Sequence, residues 1–421
     1  MGVIVGIRET QGTTCDLVIE DSDRHHHLYA IGQTGTGKTT LLRNMIAQDI
    51  EAGRGVAVID PHGDLALDVV DMIPPHRTSE AIYFDPSDTH YPIGLNPIAK
   101  TDPERHHLVI LNTVAALRGL WSDVWGLGRM QYILTNTLAA LLYYDHATLL
   151  GVNRMLADER FRAKVLRHVD DPIILAFWRD EFAHYDARLR AEAVAPIQNK
   201  VGQFATLPMT RNILGQARNA IDFRRVLDTG QIFIANLSKG LMGEDNSRLI
   251  GSFLVAQFQL AALSRADISE AERQPFHLYI DEFQNFTNVD SLSSILSEAR
   301  KYRLSLTLAH QYTAQLEHAL RAAVFGNVGT IVCLRVGCED ARILAEQLAP
   351  VAAHSLTELD PHRAWVRQLS RGTMRDASFV TLDSAYVPRR GRGTIVLRES
   401  RRKYGTPRAK VEENIARWLA H

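Results

Sequence analysis

Residues 32 to 39 read GQTGTGKT, the G-x-x-x-x-G-K-[ST] spacing in which a glycine-rich turn curls successive backbone N–H groups around phosphate oxygens. Gly32, Gln33, Thr34, Gly35, Thr36 and Gly37 would form the cradle, followed by Lys38, Thr39 and Thr40. Lys38 is placed to reach the β- and γ-phosphates of ATP, and the Thr39 hydroxyl to help hold Mg²⁺. A chain of this length meets the pattern by chance roughly one time in a hundred. Context lowers that figure: an apolar run precedes the loop, and TLLRNMIAQDI after it has helical periodicity, which sets the phosphates at a helix N-terminus.

Binding phosphate is half of a hydrolytic site; the other half needs one acid to order Mg²⁺ and a second to polarise water. HLYIDEF, residues 277 to 283, supplies both at the carboxyl end of an apolar run, with Asp281 the Mg²⁺-linked acid and Glu282 the general base. The run LSLTLAHQ ends in Gln311, a side chain able to sense a γ-phosphate or orient water, or simply a polar strand end. DPHGD, Asp60 to Asp64, reads equally well as turn chemistry and as acids near the site.

The elements that would carry these residues are legible as short apolar runs. HLYAIG (27–32), GVAVID (55–60) and AIYFD (81–85) read as buried parallel strands, and the pattern resumes at 231–237, 276–283, 304–311, 329–336 and 377–382. Between about Asp102 and Phe223 the periodicity becomes helical, as in RMQYILTNTLAALLYY. The fold class expected is therefore α/β, a P-loop NTPase with a mainly parallel central sheet and an all-helical insertion domain. His25, His26 and His27 read as the start of the first strand, where side chains alternate faces and cannot converge on one metal.

Composition narrows the class further. Apolar residues make up 46% and charged residues 23% of 421, with a formal net charge of −1, so bulk charge argues neither for nor against a nucleic-acid partner. Residues 385 to 421 carry ten Lys or Arg against three Glu, a basic tail that either meets phosphates or is merely solvated. Three cysteines without C-x-x-C spacing point to a reducing compartment. The most apolar window, 130–145, is short and holds Gln131, Thr135 and Asn136, so no membrane span is expected and the cytoplasm is the expected location.

Taken in order, GQTGTGKTT, DPHGD, GLNPI, ANLSKG, YIDEFQNF and SEARKYRLSLTLAHQ resemble the conjugative coupling proteins of type IV secretion, the TraG and TrwB-like group. That group sits within the wider HerA and FtsK clade of ring-forming DNA-pumping ATPases. The resemblance spans roughly residues 25 to 350 and implies a RecA-like nucleotide domain, a helical lobe between strands, and a homo-hexamer with DNA in its channel. It also implies an arginine acting in trans on the neighbouring subunit's nucleotide. The matching position is Arg300, with Arg303 close enough to be the alternative. Such a finger is worth about 10³ to 10⁵ in rate. Coupling proteins usually bear N-terminal membrane helices; none is legible here, so the inner membrane would be reached through a partner.

The expected organisation is a nucleotide-binding domain in two parts, 1–101 and 224–390, split by a helical insertion at 102–223 and followed by a basic tail with a terminal helix at 391–421. DNA phosphates would be gripped from a flexible loop at Ser238 to Arg248, with Lys239 and Arg248 as the candidates. The expected activity is ATP hydrolysis coupled to DNA translocation, with relaxase and secretion-channel ATPases as further partners. A nucleotide-switched docking platform for relaxase or effector proteins, and a HerA-like repair translocase, are the alternatives.

Overall fold

Runs of fully buried β-branched and aromatic residues set the central sheet of the protein. The computed structural model describes residues 2–10, 12–120, 128–287, 289–382 and 389–420. In chain order the strands are β1 (Gly2–Thr10), β2 (Thr13–Glu20), β3 (Leu28–Ile31), β4 (Gly55–Asp60), β5 (Ala81–Phe84), β6 (Ile232–Asn236), β7 (Phe276–Ile280) and β8 (Leu304–His310). They continue with β9 (Thr330–Cys333), β10 (Arg363–Ser370), β11 (Thr373–Met374) and β12 (Ser378–Thr381). The sheet order is β2-β1-β12-β10-β9-β3-β8-β7-β4-β6-β5. From β9 to β5 every pairing is parallel, and β3 to β8 inclusive are buried at every position. Both faces of that part are therefore covered, as parallel sheets require. The strands from β2 to β10 add an antiparallel wing.

The chain packs as two compact units. The first comprises Met1–Phe84, Phe223–Ser238 and Ala261–Ser400 and holds the whole sheet. On its β5 edge, Ser400 accepts from Tyr83 N at 2.8 Å and donates to Tyr83 O at 3.3 Å, so a helix (Gly393–Tyr404) closes the ladder with a hydroxyl. The second unit comprises Asp85–Asp222, Lys239–Leu260 and Arg401–His421, and its described residues are helical or irregular. Asn96 of GLNPI lies buried there, donating to Ala147 O and Ala217 O, which makes that motif a structural tie.

Several expectations need correction. The histidines do not begin a strand: His25 and His26 lie in a turn, and His27 takes a left-handed backbone (φ 62°) before β3 starts at Leu28. The His27 ring fills the bend, with Nδ1 accepting from Leu306 N and Nε2 donating to Leu296 O. Burial holds this ring down near a pKa of about 4, so it is neutral at physiological pH. The segment Ser238–Arg248 is not a flexible loop, because helices Lys239–Met242 and Glu244–Ser264 occupy it with Gly243 (φ 79°) turning between them. The segment 391–421, read as a basic tail with a terminal helix, holds the helices Gly393–Tyr404 and Arg408–Ala420, with Arg401 paired to Asp88 and Arg417 to Glu413. One helix among the described residues, Glu244–Asp267, is long and apolar enough to cross a membrane by length and composition, at mean hydropathy 1.3. Yet 72% of that window is buried, as in a core helix.

Beneath the sheet, Arg24 meets Asp49 through two hydrogen bonds of 2.5 and 2.7 Å, and Tyr279 OH joins both, 2.9 Å from Arg24 and 2.6 Å from Asp49. The side chains of this ion pair are 4% and 0% exposed. Burial works against the Asp49 charge, but His277, Arg24 and the Arg24 and Tyr279 hydrogen bonds outweigh it and hold the carboxyl well below the usual range. A depressed carboxyl contributes stability that is fully present above its unfolded value of about 4 and is lost as the pH falls. Asp49→Ala would leave a buried guanidinium unpaired and should cost about 3–5 kcal/mol at neutral pH, read as a lower urea midpoint for the sheet unit. The difference from the parent protein should shrink on acidification.

Candidate nucleotide site

The parallel register brings the carboxyl ends of β3, β8, β7 and β4 to one edge, where ligands sit in open α/β sheets. Gly32 leaves β3 so close to the chain after β9 that a Cβ would lie 2.7 Å from Leu334 Cβ. Gly37 sits at φ 117°, and a side chain there would strike His362 Nδ1 at 2.9 Å. Thr36 Oγ1 donates to Gln33 O at 2.7 Å and closes the loop on itself. The helix that follows, Lys38–Glu51, opens at Gly37 with no side-chain cap and no acid in its first turn. Its leading N–H groups and its dipole therefore suit an anion. Lys38 Nζ bends over the loop to Gly32 O at 2.5 Å and Gln33 O at 3.3 Å. Burial lowers its pKa, and the charges of Glu282 and Asp281 oppose that shift.

The acids follow directly on β7, two strands from β3, at 6% and 4% exposure for Asp281 and Glu282. The strand ends at Ile280, three residues earlier than its apolar run, because Glu282 adopts φ 46°, ψ 50°. A left-handed backbone at a non-glycine residue costs about 1 kcal/mol or more, and here it turns the carboxylate back across the strand ends. Burial first, then the charges of Glu282 and Asp60, push Asp281 up to about 7, with Lys38 opposing. Asp60 spends its own carboxylate on the turn, accepting from His62 N at 2.8 Å and Ala66 N at 2.9 Å. The donor set thus carries more carboxylate than ammonium charge, which fits Mg²⁺ held by Asp281 and Thr39.

Gln311, at the end of the intervening strand β8, joins the two halves. Its Nε2 donates to Glu282 Oε1 at 2.9 Å, and its Oε1 accepts from Thr34 Oγ1 at 3.2 Å. Glu282 Oε2 accepts from Gln284 Nε2 at 2.8 Å, a contact that sequence reading did not single out. Also missed was His310, fully buried beside Lys38 and held by burial, then by the Lys38 charge, near a pKa of about 3. Tyr29 OH lies 3.1 Å from its Nδ1, and the Phe283 ring packs 5.2 Å away. A neutral aromatic layer therefore backs the charged groups. Its only trace in the sequence is one histidine in an apolar run.

Arg300 is not brought to this cluster. It precedes β8, whose seven residues span about 23 Å, so Arg300 stands at the opposite edge of the sheet, exposed and 3.2 Å from His26. Lys239 and Arg248 belong to the second unit, Lys239 with its Nζ 3.7 Å from Glu244.

A glycine-rich turn leaving β3 and a pair of carboxylates just beyond β7, with one strand between, is the arrangement of a RecA-like P-loop NTPase. The family described as helicase HerA, central domain, matches residues 13–258, and the one described as the TraM recognition site of TraD and TraG matches residues 275–365. The chain belongs to the HerA central-domain family and, with the TraD and TraG segment following on the same chain, is type IV coupling protein-like.

Among solved structures it is similar to the bacterial conjugative coupling protein TrwBdeltaN70, at 16% identity and TM-score 0.67, over 91% of this chain and 90% of that one. TrwB in complex with ADP and Mg²⁺ aligns at 17% identity and TM-score 0.66, over 88% of each chain. VirB4 of Thermoanaerobacter pseudethanolicus aligns at 13% identity and TM-score 0.59, over 91% of this chain and 97% of that one. No curated protein matches the sequence.

An acid held above its normal range opposes folding once the pH exceeds its unfolded value. Stability contributed through Asp281 should fall between about pH 4 and pH 7 and stay low above that. Asp281→Asn should therefore stabilise the nucleotide-free protein at pH 8 by on the order of 2 kcal/mol, seen as a higher thermal midpoint, and leave the midpoint unchanged near pH 4. Thermal melts at both values check this.

Proposed function

We propose that the chain is an ATP-driven DNA translocase of the conjugative coupling-protein type, working as a hexameric ring that moves DNA toward a type IV secretion channel. The observation that carries this reading is the split between the two sheet edges. Lys38, Asp281, Glu282 and Gln311 meet at one, and the Arg300 guanidinium stands at the other, too far to serve its own site. A head-to-tail ring closes that gap, because each subunit then offers Arg300 to its neighbour's nucleotide.

In the proposed reaction Lys38 and the loop amides hold the β- and γ-phosphates. Bound Mg²⁺, held by Thr39 and Asp281, would supply charge neutralisation at the phosphates. Glu282 accepts a proton from water as the water oxygen attacks the γ-phosphorus. Gln311 ties Thr34 on the loop to Glu282, so a change at the loop reaches the base through one side chain. Closing and opening of the subunit interface would then shift DNA-gripping groups, for which Lys239 and Arg248 are the candidates. The ring would act in the cytoplasm and meet the inner membrane through partners, with relaxase and secretion-channel ATPases proposed among them.

A second reading, a nucleotide-switched platform that recruits relaxase or effector proteins, is favoured by the match of residues 275–365 to a TraM recognition segment. The match of 13–258 to HerA keeps a repair translocase as a third. The translocase should hydrolyse ATP faster with DNA, with that stimulation lost at high salt; an assembled ring indifferent to DNA supports the platform instead. Arg300→Ala and Lys38→Ala chains should each be nearly inactive, the former by about 10³-fold or more. Mixed in equal amounts they should regain activity at about a quarter of their interfaces, and absence of rescue rules out action in trans.

A further inference from the structure

We propose that Gln284 holds the attacking water, an inference that rests on the hydrolytic reading above. Glu282 is clamped by two amides, yet the two are not equivalent. Gln311 faces Oε1, and its own carbonyl is taken by Thr34 of the phosphate loop. Gln284 faces Oε2 at 2.8 Å. A carboxylate can only accept, so the amide must present its NH₂ side there, which fixes the orientation of the group and leaves its carbonyl for another donor. That carbonyl oxygen, Gln284 Oε1, is buried and meets no hydrogen-bond donor among the described residues. A buried acceptor beside a general base calls for a donor.

The turn that carries Gln284 is well held. It is the short segment Phe283–Asn285, which follows the left-handed Glu282. Asn285 Nδ2 donates back to Glu282 O at 2.9 Å, and Phe283 is fully buried against Tyr29 and His310. Gln284 therefore offers its oxygen from a fixed position.

Water has two O–H bonds, and the site supplies two acceptors. One hydrogen goes to the Glu282 carboxylate, which keeps lone pairs beyond those met by the glutamines. The other goes to Gln284 Oε1, leaving an oxygen lone pair free for phosphorus. As the new O–P bond forms and the bond from the γ-phosphorus to the bridging oxygen breaks, that electron pair leaves on ADP. The proton moves from water to Glu282. Gln284 itself neither gains nor loses a proton, so its contribution is orientation.

Gln284→Met keeps the length and removes the amide. Its kcat should fall about 10- to 100-fold, with KM for ATP and Kd for a non-hydrolysable ATP analogue unchanged. Unchanged binding also shows that the variant folds. A kcat equal to the parent's overturns the inference, and so does a parallel loss of KM and Kd, which would mark Gln284 as structural. Glu282→Gln separates the two levels. If the parent hydrolyses ATP and Glu282→Gln does not, the hydrolytic reading stands and Gln284→Met decides the inference alone. A parent that binds ATP without hydrolysing it removes both together.

Discussion

A guanidinium buried under the central sheet fixes the spacing on which the nucleotide site depends. Arg24 lies just ahead of β3, Asp49 near the end of the helix that leaves the phosphate loop, and Tyr279 on β7, one residue before the strand ends. Three hydrogen-bonding side chains thus join the approach to the loop, the helix leaving it and the strand leading to the acids. Removing both charges from water is costly, and the attraction between them offsets that cost only with such complete pairing. Its clearest consequence is geometric: loop and acids, which touch through few direct contacts, share an anchor on the side of the sheet away from the ligand.

Above that anchor the site is built of groups that work by being unequal. Asp60 and Asp281 are both buried carboxyl groups, yet Asp60 is satisfied by two backbone N–H groups while Asp281 faces like charges and resists ionisation. Gln311 and Gln284 both donate to Glu282, but only Gln311 is also engaged by the loop. His310, kept neutral, lets Lys38 carry positive charge without a competing cation behind it. Environment, rather than residue type, separates these roles.

How much of this was legible in the sequence depended on whether one neighbour or many decided the structure. Gly55–Asp60 showed itself because a strand buried on both faces needs an unbroken apolar run. The loop 32–39 and Asp281–Glu282 stand out in the sequence because the chemistry proposed for them demands particular residues. HLYIDEF looked like strand through Phe283, and the left-handed turn at Glu282 that ends it leaves no mark in composition. Three histidines looked like strand for the same reason; a bend at His27 is stabilised by Leu296 and Leu306, far along the chain. The β1–β2 hairpin was overlooked although Val3, Val5, Leu17 and Ile19 alternate inward. Arg363–Ser370 was missed because Arg and Gln interrupt its run. Charge density marks residues 391–421 as a basic tail with a terminal helix, and it leaves no sign that Val411 and Ile415 pack with Leu150 in a small core.

The position of β3 has a consequence for the order in which the protein is made. Both hydrogen-bonding edges of this strand are filled by β8 and β9, drawn from residues 304–333. A ribosome working at about 5–20 residues per second releases β3 tens of seconds before those partners exist. Leu28–Ile31 and the loop after it must wait unpaired while the helical unit is synthesised. A loop translated well ahead of the strands that flank it is thus assembled late, and a nucleotide bound there can stabilise the fold only after residues 304–333 have emerged.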